Sequence, residues 1–267
     1  MREYSKSISL NKNSRGVYCL DPSIGCSSGT KKDKRGCFSE CYSEKSARLY
    51  GYDFSKTVLR SFDDTFHKQS IINQINNVKM PFIRMGCSGD PSENWQHTLN
   101  VCKEINKGTK TNQYYLYKYG FNKGVNIVII TKHWNRLTTN QLSNLSKYNV
   151  TINTSISVID NNIFDLINEY QRISNYTKSI LRLVSFDFNL ENDEGKYYNE
   201  LQQNIFKNYD VLDTVFRCSK NNTLVKKGII NIKKTKFLGN YIYASKANKK
   251  TYLGKCGTCR EMCGVNM

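Results

Sequence analysis

Apolar runs of five to nine residues recur along the chain, and polar stretches with helical spacing separate them. The run 125-VNIVIIT-131 is continuously apolar, which is typical of a strand buried on both faces of a parallel sheet. In 93–107, the residues Trp95, Leu99, Cys102 and Ile105 recur every three or four positions and predict one apolar helix face. The predicted strands cover 16–20, 82–87, 125–131, 150–158, 179–186 and 213–218. The predicted helices cover about 38–51, 65–77, 93–107, 138–147, 161–172 and 197–207.

This alternation predicts an α/β fold whose parallel strands are joined by right-handed helical crossovers. Six strand–helix units suit an open or partial (β/α)6 barrel better than a closed barrel of eight units. The predicted barrel spans 1–218. Residues 219–267 form a Lys-rich C-terminal extension with hairpin-like segments at 227–234 and 237–245 and a terminal group of cysteines. In such folds a ligand site is expected at the carboxyl ends of the strands.

The net charge of the chain and its predicted compartment indicate which molecules the protein binds. The 267 residues include 40 Lys and Arg against 22 Asp and Glu, a formal net charge of +18, which favours a nucleic-acid or nucleotide partner. The alternative is that a Lys- and Asn-rich composition spreads this charge evenly. No apolar run is long enough to cross a membrane, and the first residues lack the apolar core of a signal peptide. The sequence therefore predicts a cytoplasmic protein, in which clustered cysteines indicate metal ligands more often than disulfides.

The first cysteine set lies in a Gly- and Lys-rich loop after the first predicted strand. Cys26, Cys37 and Cys41 follow the spacing C-x10-C-x3-C, and Tyr42 stands beside the last of them where a helix begins. Three thiolates leave one iron of a [4Fe–4S] cluster open to an outside ligand, whereas a closed structural site takes four ligands. The alternative is a zinc site completed by Cys19 or Cys87.

The second cysteine set is at the end of the chain, where 256-CGTCREMC-263 contains the spacing C-x2-C-x3-C. Together with the cysteine at the end of the sixth predicted strand it gives four thiolates, enough for zinc or for a second, closed [4Fe–4S] cluster. The set comprises Cys218, Cys256, Cys259 and Cys263. The remaining cysteines, Cys19, Cys87 and Cys102, are predicted to pack in the core.

Polar residues mark the ends of the predicted strands. The second strand ends in the turn Ser88, Gly89 and Asp90, where glycine permits close approach of the backbone to a ligand. The alternative is that Asp90 and Ser92 only cap the following helix.

The next three strands supply further candidates. Lys132 is a candidate for binding a carboxylate or phosphate and His133 for donating a proton, although a lone histidine beside a tryptophan is also typical of a structural role. On the fourth strand, Asn153, Ser155 and Ser157 alternate and are expected on one face, where they suit a ribose or carboxylate. In the apolar fifth strand, an inward arginine, Arg182, needs an anionic partner.

A cysteine triad in the loop after the first strand of a βα barrel resembles the radical S-adenosylmethionine (SAM) superfamily. The usual spacing there is C-x3-C-x2-C, and the departure seen here is more similar to divergent phage-associated members of uncharacterised function. The resemblance covers about residues 16–218. It implies that Cys26, Cys37 and Cys41 hold a [4Fe–4S] cluster whose open iron is chelated by the amino and carboxylate groups of SAM.

The resemblance also implies roles for other positions. In the superfamily the end of the second strand approaches the SAM amino group, which assigns Ser88, Gly89 and Asp90 to it, and Arg182 resembles an inward arginine aimed at the SAM carboxylate. C-terminal extensions there often carry an auxiliary cluster, which favours iron–sulfur over zinc for the second set. The other cofactor-binding candidates are Tyr42, Lys132, Asn153, Ser155 and Ser157.

Three functional hypotheses follow. The first is an iron–sulfur enzyme that takes an electron from a donor, cleaves SAM and starts radical chemistry on an unknown substrate, with a nucleic acid or nucleotide as the first choice. The second is a non-catalytic nucleic-acid-binding protein stapled by zinc. The third is a degenerate barrel that keeps its clusters for electron transfer or sensing.

Overall fold

The computed structural model describes residues 3, 5–13, 16–27, 41–77, 82–110, 124–160, 162–218, 222–231, 233–234, 242–243, 263 and 265. The strands are β1 (Leu10–Lys12), β2 (Tyr18–Leu20), β3 (Ser23–Ile24), β4 (Val58–Leu59), β5 (Phe82–Met85), β6 (Asn126–Thr131), β7 (Val150–Ile156), β8 (Ser179–Ser185), β9 (Val211–Val215), β10 (Arg217–Cys218), β11 (Lys233–Lys234) and β12 (Ile242–Tyr243). The α-helices are α1 (Tyr42–Leu49), α2 (Thr65–Asn77), α3 (Trp95–Gly108), α4 (Thr139–Leu145), α5 (Ile163–Ser174), α6 (Asp193–Asn208) and α7 (Thr223–Lys226). Two short 3-10 helices cover Pro91–Asn94 and Trp134–Arg136.

Among the described residues, the central sheet contains seven strands in the order β1-β2-β5-β6-β7-β8-β9. In this sheet the β1–β2 pair is antiparallel, and the other five neighbouring pairs are parallel. A parallel pair requires a long crossover, and helices α3, α4, α5 and α6 provide it between successive strands from β5 to β9. The protein therefore has an α/β fold with a mostly parallel central sheet, which places the carboxyl ends of β2 and β5–β9 at one edge.

The two faces of the central sheet are chemically different. On the face that packs against the helices, residues such as Ile129, Ile152 and Leu181 are fully buried in one large apolar core. The opposite face contains a small apolar cluster and, on β7, the buried polar residues Asn153 and Ser155. We call the first the helix-packed face and the second the polar face.

The apolar helical periodicity is confirmed by the packing. The predicted helix at 65–77 has the same bounds as α2, and Leu99, Cys102 and Ile105 of α3 enter the large core. Helix α3 begins one residue after Asn94, whose side chain accepts a hydrogen bond from the His97 N–H and so caps the helix.

Three details of the prediction are corrected. The fourth strand ends at Ile156, so Ser157 lies in the turn beyond it. The sixth strand was predicted at 213–218, but β9 covers Val211–Val215. Residues 217–218 instead form β10, which pairs with β12 in a separate sheet of order β10-β12-β11. The sixth strand therefore ends earlier than predicted, because residues 217–218 are hydrogen-bonded to β12 of the Lys-rich extension.

Within the described residues, no helix combines the length and the apolar character needed to cross a membrane.

Candidate functional site

The loop that carries Cys26 is joined to the turn after β5 by backbone hydrogen bonds. The Gly25 N–H donates to the Ser88 carbonyl at 3.2 Å, and the Asp90 N–H donates to the Gly25 carbonyl at 3.3 Å. A Cβ atom on Gly89 would lie 2.5 Å from the Ser23 carbonyl oxygen. Glycine is therefore required here by the close approach of the chain at β3, and the approach of a ligand to Gly89 stays a prediction. Cys26 is consequently fixed relative to Asp90.

A buried carboxylate, Asp21, organises the same turn. Its oxygens accept hydrogen bonds from the N–H groups of Gly86, Cys87 and Ser88 at 2.8, 2.9 and 2.8 Å. Burial raises the pKa of Asp21, although these three donors act in the opposite direction. Asp21 was not predicted as a site residue; the available signal was an acidic residue directly after an apolar strand.

Asp90 contacts both the 3-10 helix that follows it and the end of the neighbouring strand β6. Its Oδ1 atom accepts from the Ser92 N–H at 2.9 Å and from the Thr131 hydroxyl at 2.6 Å. The first bond caps the 3-10 helix, as the alternative interpretation of Asp90 predicts. The second bond joins the end of β5 to the end of β6. Thr131 Oγ1 also accepts from the His133 N–H at 2.9 Å, so one hydroxyl positions both Asp90 and His133.

Cys26, Asp90 and His133 converge at this edge. One ligand atom from each lies within 4.8 Å of the other two, and all three residues are half-buried. Burial lowers the pKa of His133, while the nearby Asp90 charge acts against that shift. Sequence analysis considered these residues separately, because the sequence gives no measure of their distance.

Cys41 lies next to the same turn. It is the N-cap of α1, and Ser43 in the first turn of that helix donates to the Cys87 carbonyl at 2.9 Å. Cys37 lies outside the described residues. Tyr42 is the first residue of α1, and its side chain also lies outside the described part of the chain.

Glu93 fixes the loop beyond Cys26. Its Oε1 atom accepts from the N–H and the hydroxyl of Ser27 at 3.1 and 3.0 Å, and Oε2 accepts from Thr57 at 2.9 Å. The sequence suggested only the start of a helix at this position, so this role depends on contacts between distant segments.

The polar face carries a hydrogen-bonded group built around Arg182. Arg182 Nη1 donates to Ser155 Oγ at 3.0 Å, and its Nε donates to Thr214 Oγ1 at 2.9 Å. Asn153 is fully buried on the same face, and its Oδ1 atom has no hydrogen-bond partner among the described residues. These contacts join two predicted residues, Arg182 and Ser155, and the same face holds the buried acceptor of a third, Asn153.

Two other candidates make local contacts. Lys132 Nζ forms an ion pair with Asp160 Oδ1 at 2.7 Å, so its carboxylate partner belongs to the protein itself. The Ser157 N–H donates to the other oxygen of Asp160 at 2.7 Å, which makes Ser157 part of the turn after β7.

The end of the chain contacts the polar face. Asn153 Nδ2 donates to the Cys263 carbonyl at 2.8 Å, and Lys178 Nζ donates to the Val265 carbonyl at 2.6 Å. Arg84 Nη2 lies 3.1 Å from Cys263 Sγ. Arg84 was missed by sequence analysis, although an arginine within an apolar strand is the signal that identified Arg182.

The other members of the second cysteine set are only partly visible. Cys218 belongs to β10, and its side chain lies outside the described part. Cys256 and Cys259 lie outside the described residues altogether.

The three remaining cysteines are packed. Cys102 is fully buried in the large core, and burial raises the pKa of its thiol to about 12. Cys19 is buried in the small cluster of the polar face, with Cys87 and Cys263 against it. A hydrogen bond from Cys87 lowers the pKa of the Cys19 thiol.

Comparison with known proteins supplies one structural relationship. No protein-family model matches the chain, and no curated protein does. Among solved structures, the chain is similar to spore photoproduct lyase in complex with dinucleoside spore photoproduct, with a TM-score of 0.53 and 12% sequence identity. The similarity covers 89% of this chain and 71% of the other. Spore photoproduct lyase is a radical SAM enzyme. The fold of this chain is similar to that of a radical SAM enzyme. None of the comparisons bears on the predicted resemblance to phage-associated members.

Proposed function

We propose that the chain is a radical SAM enzyme built on a partial (β/α)6 barrel, with a [4Fe–4S] cluster held by Cys26, Cys37 and Cys41. The observation that carries this proposal is the junction of the Cys26 loop, the turn after β5 and the start of α1 at the carboxyl edge of a parallel sheet. In folds of this kind, that edge is where ligands bind.

The described residues fit such a group. Two of the three thiols, Cys26 and Cys41, flank the same turn, and thiolate sulfur is the usual protein ligand of an iron–sulfur cluster. The buried and unpartnered Oδ1 of Asn153 is an acceptor suited to an ammonium or hydroxyl group of a bound ligand. When bound, the cluster supplies one-electron reductive cleavage of SAM and hence a radical that abstracts hydrogen from a substrate.

The protein residues bind and orient SAM. The turn of Ser88, Gly89 and Asp90 would bind the SAM amino group, with the Asp90 carboxylate as the anionic partner of the ammonium. Arg182 receives the SAM carboxylate, and its guanidinium is already oriented by Ser155 and Thr214. Because both hydroxyl contacts lie within the sheet, little side-chain entropy is lost when the anion binds.

The second set and the domain division belong to the same proposal. Residues 1–218 form the barrel, and residues 219–267 form an extension in which Cys218, Cys256, Cys259 and Cys263 hold a second [4Fe–4S] cluster or zinc. The contacts of Cys263 and Val265 with the polar face support an extension that folds back onto the sheet.

A nucleic acid or nucleotide is the proposed substrate class. The net charge of +18 supports a polyanionic partner, and the similar solved structure contains a dinucleoside ligand. An electron donor and SAM are the other proposed partners, and the cytoplasm is the proposed compartment.

The test is metal analysis followed by a SAM-cleavage assay. Protein purified without oxygen is expected to contain iron and sulfide and to release 5′-deoxyadenosine from SAM when reduced. Cys26→Ala and Cys41→Ala are each expected to abolish cleavage, because a three-thiolate cluster lacks a spare protein ligand. The matched control is Cys102→Ala, which removes a thiol from the core of α3 and is expected to retain cleavage.

Two results would overturn the proposal. One is SAM cleavage that survives Cys26→Ala and Cys41→Ala. The other is protein that contains zinc but takes up no iron; combined with salt-dependent binding to nucleic acid, it would support the zinc-stapled alternative instead.

A further inference from the structure

The carboxyl edge holds a second donor set that shares one residue with the proposed cluster. It consists of the Cys26 thiol, the Asp90 carboxylate and the His133 imidazole, whose ligand atoms lie within 4.8 Å of one another. In a tetrahedral zinc site with bonds of about 2.0–2.3 Å, ligand atoms lie about 3–4 Å apart. Small side-chain rotations therefore suffice to bring these three atoms around one ion.

We propose that Cys26, Asp90 and His133 form a mononuclear site for Zn²⁺ or a similar divalent transition metal. Sulfur, nitrogen and oxygen donors together are typical of zinc sites, whereas magnesium and calcium prefer oxygen alone. Three protein ligands leave the fourth position of a tetrahedral ion open to water or another small ligand.

The Thr131 hydroxyl orients the Asp90 carboxylate and holds the backbone of His133. The Thr131 hydroxyl donates to Asp90 Oδ1 and accepts from the His133 N–H. Both hydrogen bonds that the Asp90 carboxylate receives use Oδ1, so among the described residues its Oδ2 atom accepts none. Outer contacts of this kind position metal ligands and contribute to metal affinity.

The third ligand is fixed through the backbone. The Cys26 N–H donates to the Phe54 carbonyl at 2.9 Å, and Gly25 is hydrogen-bonded to Ser88 and Asp90. The backbone of Gly25 has a φ of +89°, and a Cβ atom there would lie 2.5 Å from the Lys56 carbonyl oxygen. The tight fit at Gly25 holds Cys26 opposite Asp90.

Occupation of this site excludes the proposed cluster, because both need the sulfur of Cys26. This exclusion rests on the proposed function, whereas metal binding by the three residues does not. The edge then has two alternative metal states, and the mononuclear state lacks the iron required for SAM cleavage.

The experiment is a titration of the full-length, metal-free protein with Co²⁺ alone, under reducing conditions and without oxygen. Co²⁺ bound to a thiolate gives a charge-transfer absorption that reports sulfur ligation directly. We expect His133→Gln and Asp90→Asn each to weaken the binding of the Co²⁺ ion that Cys26 ligates by at least about tenfold. We call the charge-transfer absorption of this ion the Co²⁺ component. Asp90→Asn keeps an Oδ1 acceptor for Ser92 and Thr131, so it separates loss of a ligand from loss of local structure.

His97→Gln is the matched control. His97 lies on α3, and its Nε2 atom is hydrogen-bonded to the Arg60 carbonyl at 2.9 Å. Removal of this imidazole is expected to leave Co²⁺ affinity unchanged. If His133→Gln and Asp90→Asn bind Co²⁺ as tightly as the His97→Gln variant, the proposed site does not exist.

Iron and sulfide reconstitution distinguishes this inference from the proposed function. If both are correct, His133→Gln retains iron and sulfide but loses the Co²⁺ component, and Zn²⁺ added first lowers iron uptake by the wild type. If the wild type takes up no iron while Co²⁺ binding still depends on His133, the mononuclear site stands and the radical SAM function fails. If iron is bound but Co²⁺ binding is independent of His133, the mononuclear site fails and the radical SAM function stands.

Discussion

Both faces of the central sheet are buried, but one buries mainly apolar side chains whereas the other also buries polar ones. On β7, Ile152 and Ile156 enter the helix-packed core, whereas Asn153 and Ser155 point to the polar face. Apolar burial stabilises the fold at about 25 cal/mol per Å². A buried polar side chain instead costs free energy unless it is hydrogen-bonded. The polar side chains of the polar face therefore add less to stability than the apolar side chains of the helix-packed face.

The polar face is partly covered by the end of the chain itself. Asn153 and Lys178 donate to carbonyl groups of Cys263 and Val265, and Arg84 contacts the Cys263 sulfur. Lys178 precedes β8, so Val265 lies towards the amino end of that strand. The carboxyl edge, with Cys26 and Asp90, lies at the opposite end of the parallel strands.

The largest expected effect is on the helix-packed face. Leu181→Ala removes a fully buried side chain from the large core and should lower the free energy of unfolding by about 2–5 kcal/mol, because both transfer energy and packing are lost. Equilibrium denaturation with urea measures this change.

Ser155→Ala provides the contrast from the polar face. It removes one hydrogen bond to the charged guanidinium of Arg182 and should lower the free energy of unfolding by about 1.5–3 kcal/mol, towards the lower end of the range for Leu181→Ala. Equal losses for Leu181→Ala and Ser155→Ala would mean that the two faces do not differ in their contribution to stability.

The helix-packed face could be predicted from the sequence because its signal is local. Helical periodicity gave the bounds of α2, and the apolar run at 125–131 agrees with β6 to within one residue. The short strands β1, β3 and β4 were missed, since two or three residues carry no periodic signal. The pairing of β3 with β4 also depends on segments that are far apart in the chain.

The site was predictable only in part for the same reason. Asp90 and Arg182 were predicted because Asp90 follows the end of a strand and Arg182 lies within an apolar strand. Asp21 and Glu93 were missed, since their roles arise from hydrogen bonds to loops up to 67 residues away. No spacing in the sequence indicates that His133 lies near Cys26.

A smaller effect, confined to ligand binding, is expected at Arg182. Arg182→Met keeps the length of the side chain but removes the proposed partner of the SAM carboxylate. A hydrogen bond to a charged group contributes about 1.5–3 kcal/mol, so the dissociation constant for SAM should rise roughly 10- to 100-fold. Calorimetric titration of the reconstituted protein with SAM measures this constant.

Arg172→Met is the matched control for that change. Arg172 lies on α5, where it pairs with Glu169 and donates to the Leu137 carbonyl. Partly exposed ion pairs contribute little, so SAM affinity should remain that of the wild type. An equal loss in both variants would remove Arg182 from the proposed binding surface.

The smallest change in stability is expected at Asn153. Asn153→Leu has a similar volume; it loses the hydrogen bond to the Cys263 carbonyl, which contributes about 0.5–1.5 kcal/mol. It also removes a buried, unpartnered oxygen, which costs the folded state about 1–3 kcal/mol. These effects offset each other, so the free energy of unfolding should stay within about 1 kcal/mol of the wild type. A loss as large as that of Leu181→Ala would show that Asn153 holds the fold together, and the contrast between the two faces would fail at its most buried polar residue.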